Sequence, residues 1–374
     1  MLYREMRKTK EKVSILGFGC MRLPTIDGKI DRKKASEMLS YAIENGVNYL
    51  DTAYPYHNGE SESFLGEFLK NGYRDKIFLA TKLPTWLIKT REDMDKYLDE
   101  QLKRLQTDHI DFYLLHGLNE ERWDNLKNLK FNEFLESAIA DGRIRHTGFS
   151  FHDSLEVFKN IVDSYDWSVC QIQYNYLDVD YQAGKEGLKY AAERGLSVIV
   201  MSPLRGGKLA SSIPNEAMDL FKHLGKSPTY WALRWVWDHP EVSLVLSGMS
   251  ELSQVIENLQ IAKDGLPNSL TSDELHTIDR VMEIYKSKMK ISCTSCKYCQ
   301  PCPNGVNIPF AFQQYNNAFI FDDLKGAKQT YNMFTEPEQR ASNCIECGLC
   351  ETQCPQNLPI IKLLKEVAAT FEDN

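Results

Sequence analysis

Short apolar runs alternate with amphipathic stretches from residue 1 to about residue 285. The runs are rich in β-branched residues, which favour strands, and they cover 15–19, 47–51, 77–81, 110–115, 144–149, 169–173, 197–201 and 242–246. The stretches between them carry apolar residues at helical spacing and predict helices over 32–45, 62–70, 91–105, 131–141, 155–164, 185–194, 231–238 and 252–262. Eight repeats of a strand followed by a helix predict a (β/α)8 TIM barrel over residues 1–285.

An open, doubly wound sheet is the alternative fold for such an alternating pattern. That fold would place a Gly-x-Gly-x-x-Gly turn after its first strand to receive a dinucleotide. The chain has Gly17-Phe-Gly-Cys-Met-Arg22 at this point, so the third glycine of the turn is missing. The barrel is therefore the favoured fold.

Residues 286–374 differ from the barrel segment in their cysteine content. Eight of the ten cysteines of the chain lie here, in two tight runs. The second run has the spacing C-x2-C-x2-C-x3-C-P, in which three thiolates of a bacterial ferredoxin bind one [4Fe-4S] cluster and the fourth binds a second cluster. We predict a small α-helical ferredoxin-like domain over 286–374 with two [4Fe-4S] clusters, whose ligands are Cys293, Cys296, Cys299, Cys302, Cys344, Cys347, Cys350 and Cys354. The first run has a shorter last gap, which leaves the sharing of ligands between the clusters open.

Disulfides and zinc are the alternatives for these cysteines. The chain opens Met-Leu-Tyr-Arg-Glu and shows neither a signal peptide nor a long apolar span, so we expect a reducing, cytoplasmic compartment in which disulfides are rare. Zinc ribbons use paired C-x2-C units, but they separate the two pairs. Four cysteines within ten residues indicate a polynuclear centre instead.

The charge of the chain bears on its partners. The formal net charge is -8, and no basic stripe is present that could displace counterions from phosphates. We therefore expect neither nucleic acid nor a membrane as a partner, and a composition with 43% hydrophobic residues describes an ordinary folded protein.

Four polar side chains follow three successive strands of the predicted barrel. Asp51 and Tyr56 follow the second strand, Lys82 follows the third, and His116 follows the fourth. Each of them has an ordinary structural explanation when it is taken alone. Together they place an acid, a phenol, an amine and an imidazole on the rim where TIM barrels carry their active sites.

The spacing of these residues resembles the aldo-keto reductase family, and the resemblance covers residues 1–285, with a ferredoxin-bearing branch of the family matching the tail. It implies a catalytic tetrad of Asp51, Tyr56, Lys82 and His116 in an oxidoreductase that reduces a small carbonyl substrate, or oxidises an alcohol, with a nicotinamide. Tyr56 would protonate the carbonyl oxygen, and Lys82, paired with Asp51, would lower its pKa. His116 would orient the carbonyl by a hydrogen bond. Trp86 and Trp123, in the segments that follow strands three and four, are expected to line the substrate pocket.

The resemblance also implies the nicotinamide-binding residues, which follow strands five to eight: Ser150, Gln171, Met201, Ser202, Leu204, Arg205, Gly206, Gly248, Ser250, Gln254, Glu257 and Asn258. Phe151 stands where most members have Asn, and Met201 where many have an aromatic residue. The basic residues that bind the 2'-phosphate of NADP are replaced by Gly248, Met249, Ser250 and Gln254. NAD is therefore favoured over NADP, although Arg205 could supply the missing charge.

The two parts of the chain handle electrons differently, because a nicotinamide passes a hydride and each cluster passes one electron. A flavin could connect the two, and the barrel can bind one without a motif. Two functions follow. In the first, the protein is a nicotinamide-linked oxidoreductase with accessory clusters; in the second, it is an electron-transfer protein or subunit with a redox partner, and its barrel does not bind nicotinamide productively.

Overall fold

A computed structural model describes residues 1–293, 295, 297–354 and 356–372 of the chain. Eight parallel strands close into a barrel, in the spatial order β6-β7-β8-β1-β2-β3-β4-β5. They are β1 (Leu16–Gly19), β2 (Tyr49–Asp51), β3 (Phe78–Leu83), β4 (Ile110–Leu118), β5 (Ile144–Phe151), β6 (Val169–Gln173), β7 (Ser197–Met201) and β8 (Val242–Ser247). The predicted TIM barrel is therefore confirmed.

Three strands, β3, β4 and β5, run two or three residues further toward their carboxyl ends than the sequence pattern indicated. In β3, Lys82 pairs with Leu114 and Leu83 with Leu115, and at the end of β4 Leu118 pairs with Phe151. Lys82, His116 and Ser150 consequently lie inside strands, whereas the sequence placed them just past the strand ends.

The helices of the chain were predicted in part. They are α1 (Arg32–Glu44), α2 (Glu60–Leu69), α3 (Arg91–Leu105), α4 (Glu120–Asn128), α5 (Phe131–Ala140), α6 (Leu155–Asp163), α7 (Gly184–Glu193), α8 (Lys208–Ser211), α9 (Asn215–His223), α10 (Pro228–Trp237), α11 (Leu252–Ile261), α12 (Ser272–Ser287), α13 (Ile308–Ile320), α14 (Leu324–Phe334), α15 (Leu349–Gln353) and α16 (Ile360–Phe371). The eight predicted barrel helices agree with α1, α2, α3, α5, α6, α7, α10 and α11 to within a few residues.

Two hairpins and several short helices escaped the sequence pattern. One hairpin pairs Tyr3–Glu5 with Lys12–Ser14, and the other pairs Thr25–Ile26 with Lys29–Ile30. The second turns through Asp27 and Gly28, both at positive φ, which is the turn that an Asp-Gly pair favours. Helix α4 is capped by Asn119, whose side chain accepts a hydrogen bond from the Arg122 amide.

The interior of the barrel is filled by side chains. Tyr49, Phe112, Ile199 and Leu244 belong to one fully buried cluster, and the Tyr49 and Phe112 rings lie 5.4 Å apart. Outside the strands, α2 and α3 meet closely at Gly66, where a Cβ atom would lie 2.4 Å from the Arg104 carbonyl oxygen. This close approach fixes the position of α2, the helix that carries Glu62.

The chain divides into two compact units. The first comprises Met1–Gly206 and Thr229–Thr271 and contains the whole barrel sheet. The second comprises Gly207–Pro228 and Ser272–Asn374. None of the helices formed by the described residues is long and apolar enough to span a membrane.

The second unit has a hydrophobic core of its own. Phe312, Tyr331, Val367 and Phe371 are buried in it, and most of the described cysteines of the two runs pack against it. The aromatic residues between the two cysteine runs are buried or partly buried, except for Phe334, which is 65% exposed. This unit is helical, as the sequence predicted.

Candidate active site

Lys82 and Asp51 form a buried ion pair at the carboxyl ends of β2 and β3. The Lys82 Nζ donates hydrogen bonds to Asp51 Oδ1 and to the Thr52 carbonyl oxygen, each at 2.7 Å. Lys82 is 0% exposed and Asp51 is 3% exposed. Burial alone would lower the pKa of Lys82, but the charge of Asp51 and the contact with Tyr56 raise it above its usual value. The lysine is therefore a fixed positive charge at neutral pH.

Tyr56 lies beside this ammonium group, in the loop that follows β2. The Lys82 Nζ is 5.2 Å from the centre of the Tyr56 ring, and the two side chains share a hydrogen bond. Burial raises the pKa of Tyr56 above its usual value of 10, while Lys82 pulls it down. The lysine thus acts in the predicted direction, but burial outweighs it and the net shift is upward.

His116 faces Tyr56 across the site. Its ring lies edge-on to the Tyr56 ring, with centroids 6.1 Å apart, and 5.1 Å from the Trp86 ring. Burial, together with the nearby charge of Lys82, holds the pKa of His116 well below its usual value, so the imidazole is neutral at neutral pH. The buried Nδ1 of His116 has no hydrogen-bond partner among the described residues, which leaves it available to a ligand.

A buried polar network behind Lys82 was not anticipated. Glu62 accepts hydrogen bonds from Thr81 Oγ1 at 2.7 Å and from Gln101 Nε2 at 2.6 Å, and Gln101 Nε2 also donates to the Lys82 carbonyl oxygen at 3.0 Å. Arg104 contacts the second oxygen of Glu62 at 3.4 Å. The sequence gives little sign of this network, because the partners of Glu62 lie far from it along the chain. The one hint is an acidic residue at this place in a short helix with several apolar residues.

Ser150 and Gln171 stand on neighbouring strands, and their Cα atoms are paired across β5 and β6. The Ser150 Oγ accepts a hydrogen bond from the Gly117 amide at 2.7 Å, and the Gln171 Nε2 lies 3.7 Å from the Met201 sulfur. The buried Oε1 of Gln171 has no partner among the described residues. Phe151 is fully buried and packs on Phe158, so the residue that departs from the family pattern belongs to the core.

The loop after β7 carries Ser202, Leu204, Arg205 and Gly206. Ser202 and Arg205 have φ of 55° and 47°, so the loop is tightly folded. Arg205 lies 3.6 Å from the buried carboxylate of Asp178, which already offsets part of its charge. The predicted substitute for the missing phosphate ligands is therefore partly committed within the protein.

The predicted cofactor-binding residues after β8 differ in their burial. The Gln254 side chain, which is exposed, accepts a hydrogen bond from the Ser250 amide at 2.9 Å. Asn258 is only 2% exposed, and its Nδ2 donates to Ser247 Oγ at 3.0 Å. Glu257 is half-buried on the same helix, α11. The structure thus turns Asn258 inward, where it holds α11 against β8.

Arg22, which follows β1, was missed by the sequence reasoning. A Cβ atom at Gly206 would lie 3.2 Å from Arg22 Nη2, and one at Gly248 would lie 3.1 Å from Arg22 Cδ. The arginine therefore runs between the loops after β7 and β8. Arg22 is exposed and forms no hydrogen bond or ion pair with any described residue. Its position between Gly19 and Leu23 along the chain gives no sign of this placement.

In the second unit, the described cysteines form two groups that each combine both runs. Cys293 and Cys299 of the first run line a cavity together with Cys354 of the second run. Burial raises the pKa of Cys350, and the thiols of Cys344 and Cys302 add to this shift, which places Cys302 with the second run. Cys347 is exposed. Cys296 and Pro355 lie outside the described residues.

The arrangement of the thiol groups suits a polynuclear centre. Within the described part of the chain, no three His, Cys, Asp or Glu side chains surround one point closely enough to hold a single metal ion. A cubane cluster takes its four thiolates at separate corners, so a cavity lined by thiols of both runs suits it. The Ser295 amide also donates to the Cys293 sulfur at 3.4 Å, a contact that stabilises a thiolate.

Comparison with known proteins agrees with both parts of the chain. The sequence profile of the "Aldo/keto reductase family" matches residues 15–283, and that of a "4Fe-4S dicluster domain" matches residues 292–358. The holo structure of aldo-keto reductase AKR11C1 from Bacillus halodurans has 31% sequence identity and a TM-score of 0.63, with 75% of this chain and 96% of that chain covered.

Two curated relatives have named activities. L-galactose dehydrogenase of Arabidopsis thaliana is 28% identical over 306 residues, covering 76% of this chain and 95% of that protein. Methylglyoxal reductase YeaE of Escherichia coli is 28% identical over 271 residues, covering 69% of this chain and 87% of that protein.

Proposed function

Because the chain belongs to the aldo/keto reductase family of oxidoreductases, with a 4Fe-4S binding domain at its C-terminal side, we propose that its barrel reduces a carbonyl compound, or oxidises the corresponding alcohol, with a nicotinamide cofactor. One observation carries this proposal: the buried Lys82–Asp51 pair holds a fixed positive charge against the Tyr56 phenol. A phenol needs such a charge to release a proton near neutral pH.

Each residue of the tetrad has one task in the proposed reaction. Tyr56 breaks its O–H bond and gives the proton to the carbonyl oxygen, and the electron pair stays on the phenolate. Lys82 stabilises that phenolate, and Asp51 keeps Lys82 charged and oriented. His116, neutral because of its burial, donates a hydrogen bond to the same oxygen. A proton from solvent then restores Tyr56.

The nicotinamide would supply the hydride, and the residues at the rim suit it. Ser150 and Gln171 would bind its carboxamide beside Met201, since the Oε1 of Gln171 has no partner in the described part of the chain. The loops of Ser202, Leu204, Arg205 and Gly206 and of Gly248, Ser250 and Gln254 would receive the phosphates, with Glu257 and Asn258 toward the adenine. NAD stays the preferred cofactor, because Gly248 and Gln254 stand where the family has basic side chains for the 2'-phosphate of NADP.

We further propose that the two [4Fe-4S] clusters share the cysteine runs. One cluster would take Cys293, Cys296, Cys299 and Cys354, and the other Cys302, Cys344, Cys347 and Cys350. The cavity lined by Cys293, Cys299 and Cys354 supports the first set, and the effect of Cys302 on Cys350 supports the second. When bound, each cluster would pass one electron at a time.

Four further expectations stay predictions. They are the division of the sequence into domains at residue 285, a flavin as adaptor, a redox partner protein and a cytoplasmic location. The competing function is single-electron transfer by the clusters without productive nicotinamide binding; the departures at Phe151 and Met201 favour it, and the assembled tetrad opposes it.

The decisive experiment compares wild-type protein with Tyr56→Phe, both purified without oxygen. We expect the wild type to reduce an aldehyde with NADH or NADPH and Tyr56→Phe to lose about 10²–10⁴-fold in kcat, the usual contribution of a general acid. The cluster absorption of the two proteins should be identical. Wild-type activity that survives the substitution would remove Tyr56 from the mechanism. Cluster absorption without any nicotinamide binding would favour the competing function.

A further inference from the structure

An arginine that has no acidic partner among the described residues lies next to the proposed carbonyl site. Arg122, on α4, places its guanidinium 5.6 Å from the centre of the Trp86 ring, and that ring is 5.1 Å from the His116 ring. The Arg122 Nη1 donates to the Gly117 carbonyl oxygen at 2.8 Å, directly after His116. The side chain is half-buried, and no described carboxylate forms an ion pair with it.

Within the described part of the chain, none of the charged groups around Arg122 forms an ion pair with it. His116 and His152 both have lowered pKa values, first because of burial, and both are neutral at neutral pH. Lys82 is neutralised by Asp51. The Asp153 carboxylate accepts hydrogen bonds from the amides of Glu120 and Ser154. The same positive charge contributes to the low pKa of both histidines, so it reaches the space beside His116.

We propose that Arg122 binds an anionic group of the substrate, so that this site takes carbonyl compounds that also carry a carboxylate. The proposal rests on the proposed function, and it names the substrate class of the same site. A guanidinium offers paired donors that match the geometry of a carboxylate. Trp86, 40% exposed, would lie under the apolar part of the substrate between the carbonyl at His116 and the carboxylate at Arg122.

A purely structural role of Arg122 makes a different prediction. In that case the side chain only ties Gly117 to α4 and packs on Trp86, and its loss disturbs all substrates equally. A carboxylate-binding role affects only the charged substrate. The ratio of kcat/KM for a charged and a neutral version of one aldehyde therefore separates the two roles.

A suitable pair is 4-carboxybenzaldehyde and its methyl ester, which present the same aldehyde with and without the charge. We expect the carboxylate-to-ester ratio to fall about 10- to 100-fold in Arg122→Gln, as the loss of a hydrogen bond to a charged group implies. Arg122→Lys should keep part of the preference for the carboxylate, because lysine retains the positive charge but lacks the paired donors of the guanidinium. The matched control is Arg91→Gln: Arg91 also lies over an aromatic ring, Phe134 at 5.2 Å, but on α3 and paired with Asp95.

An unchanged ratio in Arg122→Gln, or an equal fall in Arg91→Gln, overturns the proposal while leaving the reductase function intact. Equilibrium binding of terephthalate, which has no carbonyl to reduce, tests Arg122 independently of turnover. If neither aldehyde is reduced by the wild type but terephthalate binds and Arg122→Gln weakens its binding at least tenfold, the proposed function fails and the anion site stands. Terephthalate binding that Arg122→Gln does not weaken overturns the anion site.

Discussion

The Lys82–Asp51 pair permits a stability prediction in which the two single substitutions respond to pH in opposite directions. Removing one partner of a buried ion pair leaves an unpaired buried charge, which costs about 3–5 kcal/mol. The remaining group can instead become neutral by losing or taking up a proton. The free energy of that proton transfer sets an upper limit on the loss of folding stability. That limit depends on pH, because it grows with the distance between the pH and the reference pKa.

In Asp51→Asn, Lys82 stays buried and must lose its proton. From a reference pKa of about 10.4, this costs about 4.6 kcal/mol at pH 7 and about 1.9 kcal/mol at pH 9. In Lys82→Met, Asp51 must take up a proton, which costs about 4.2 kcal/mol at pH 7 and about 1.5 kcal/mol at pH 5. We therefore expect Asp51→Asn to regain stability as the pH rises and Lys82→Met to regain it as the pH falls.

The double variant Asp51→Asn/Lys82→Met retains no charge at this place. We expect it to lose no more stability than either single variant, and to lack both pH trends. Breaking the exposed Lys159–Glu186 pair by Lys159→Met is the matched control and should cost less than about 1 kcal/mol.

Urea unfolding followed by tryptophan fluorescence measures these losses. All six tryptophans lie in the first unit, so the signal reports on the barrel. Each transition must be checked for a single step before free energies are compared. Losses that add up in the double variant, or parallel pH trends in the two single variants, would refute the description of Lys82 and Asp51 as a charged buried pair.

Three further predictions concern other parts of the chain. Arg22→Gln should weaken NADH and NADPH binding about equally, by roughly 10-fold as expected for a lost charge-assisted contact, in a fluorescence titration; a loss for NADPH alone would move Arg22 to the 2'-phosphate. Cys354→Ser should lower iron content and bleach one cluster while the absorption of the other persists, whereas loss of both would contradict the shared-ligand assignment. Burial lowers the pKa of His116, so below the unfolded pKa of about 6.5 the unfolded chain binds a proton at this residue and the folded protein does not. The free energy of unfolding therefore declines as the pH falls below that value. His116→Asn should make this decline less steep in urea unfolding measured at several pH values.

The barrel was predictable from the sequence because its strands are apolar on both faces and its helices keep one apolar face. The boundaries of β6 and β7 agree with the predicted ranges, and α3 agrees as well. The hairpins and α4 were not predicted, since a strand of two or three residues or a mostly polar helix leaves no periodic signal. The proximity of the four polar residues after β2, β3 and β4 followed from their order along the chain, because consecutive parallel strands bring their carboxyl ends to one rim.

Contacts between distant parts of the chain were not accessible in this way. The pairing of Arg205 with Asp178, the burial of Glu62 behind Lys82 and the burial of Trp123 all depend on side-chain direction. The sequence favoured Trp123 as a wall of the substrate pocket, together with Trp86. In the structure Trp123 is 1% exposed and packs on Phe131, so that expectation was wrong for Trp123, whereas Trp86 does lie beside His116.

The departures from the family pattern bear on which of the two functions holds. Taken one at a time, Phe151 and Gly248 suggest a nicotinamide pocket that has decayed. In space, Phe151 is a core residue, and Gly248 is the position where a Cβ atom would press on Arg22. Arg22 thus brings a positive charge from the end of β1 to the loops that follow β7 and β8, beside Gly248. A decayed pocket would have no reason to keep a guanidinium between the loops after β7 and β8, and this arrangement favours the reductase over the electron-transfer alternative.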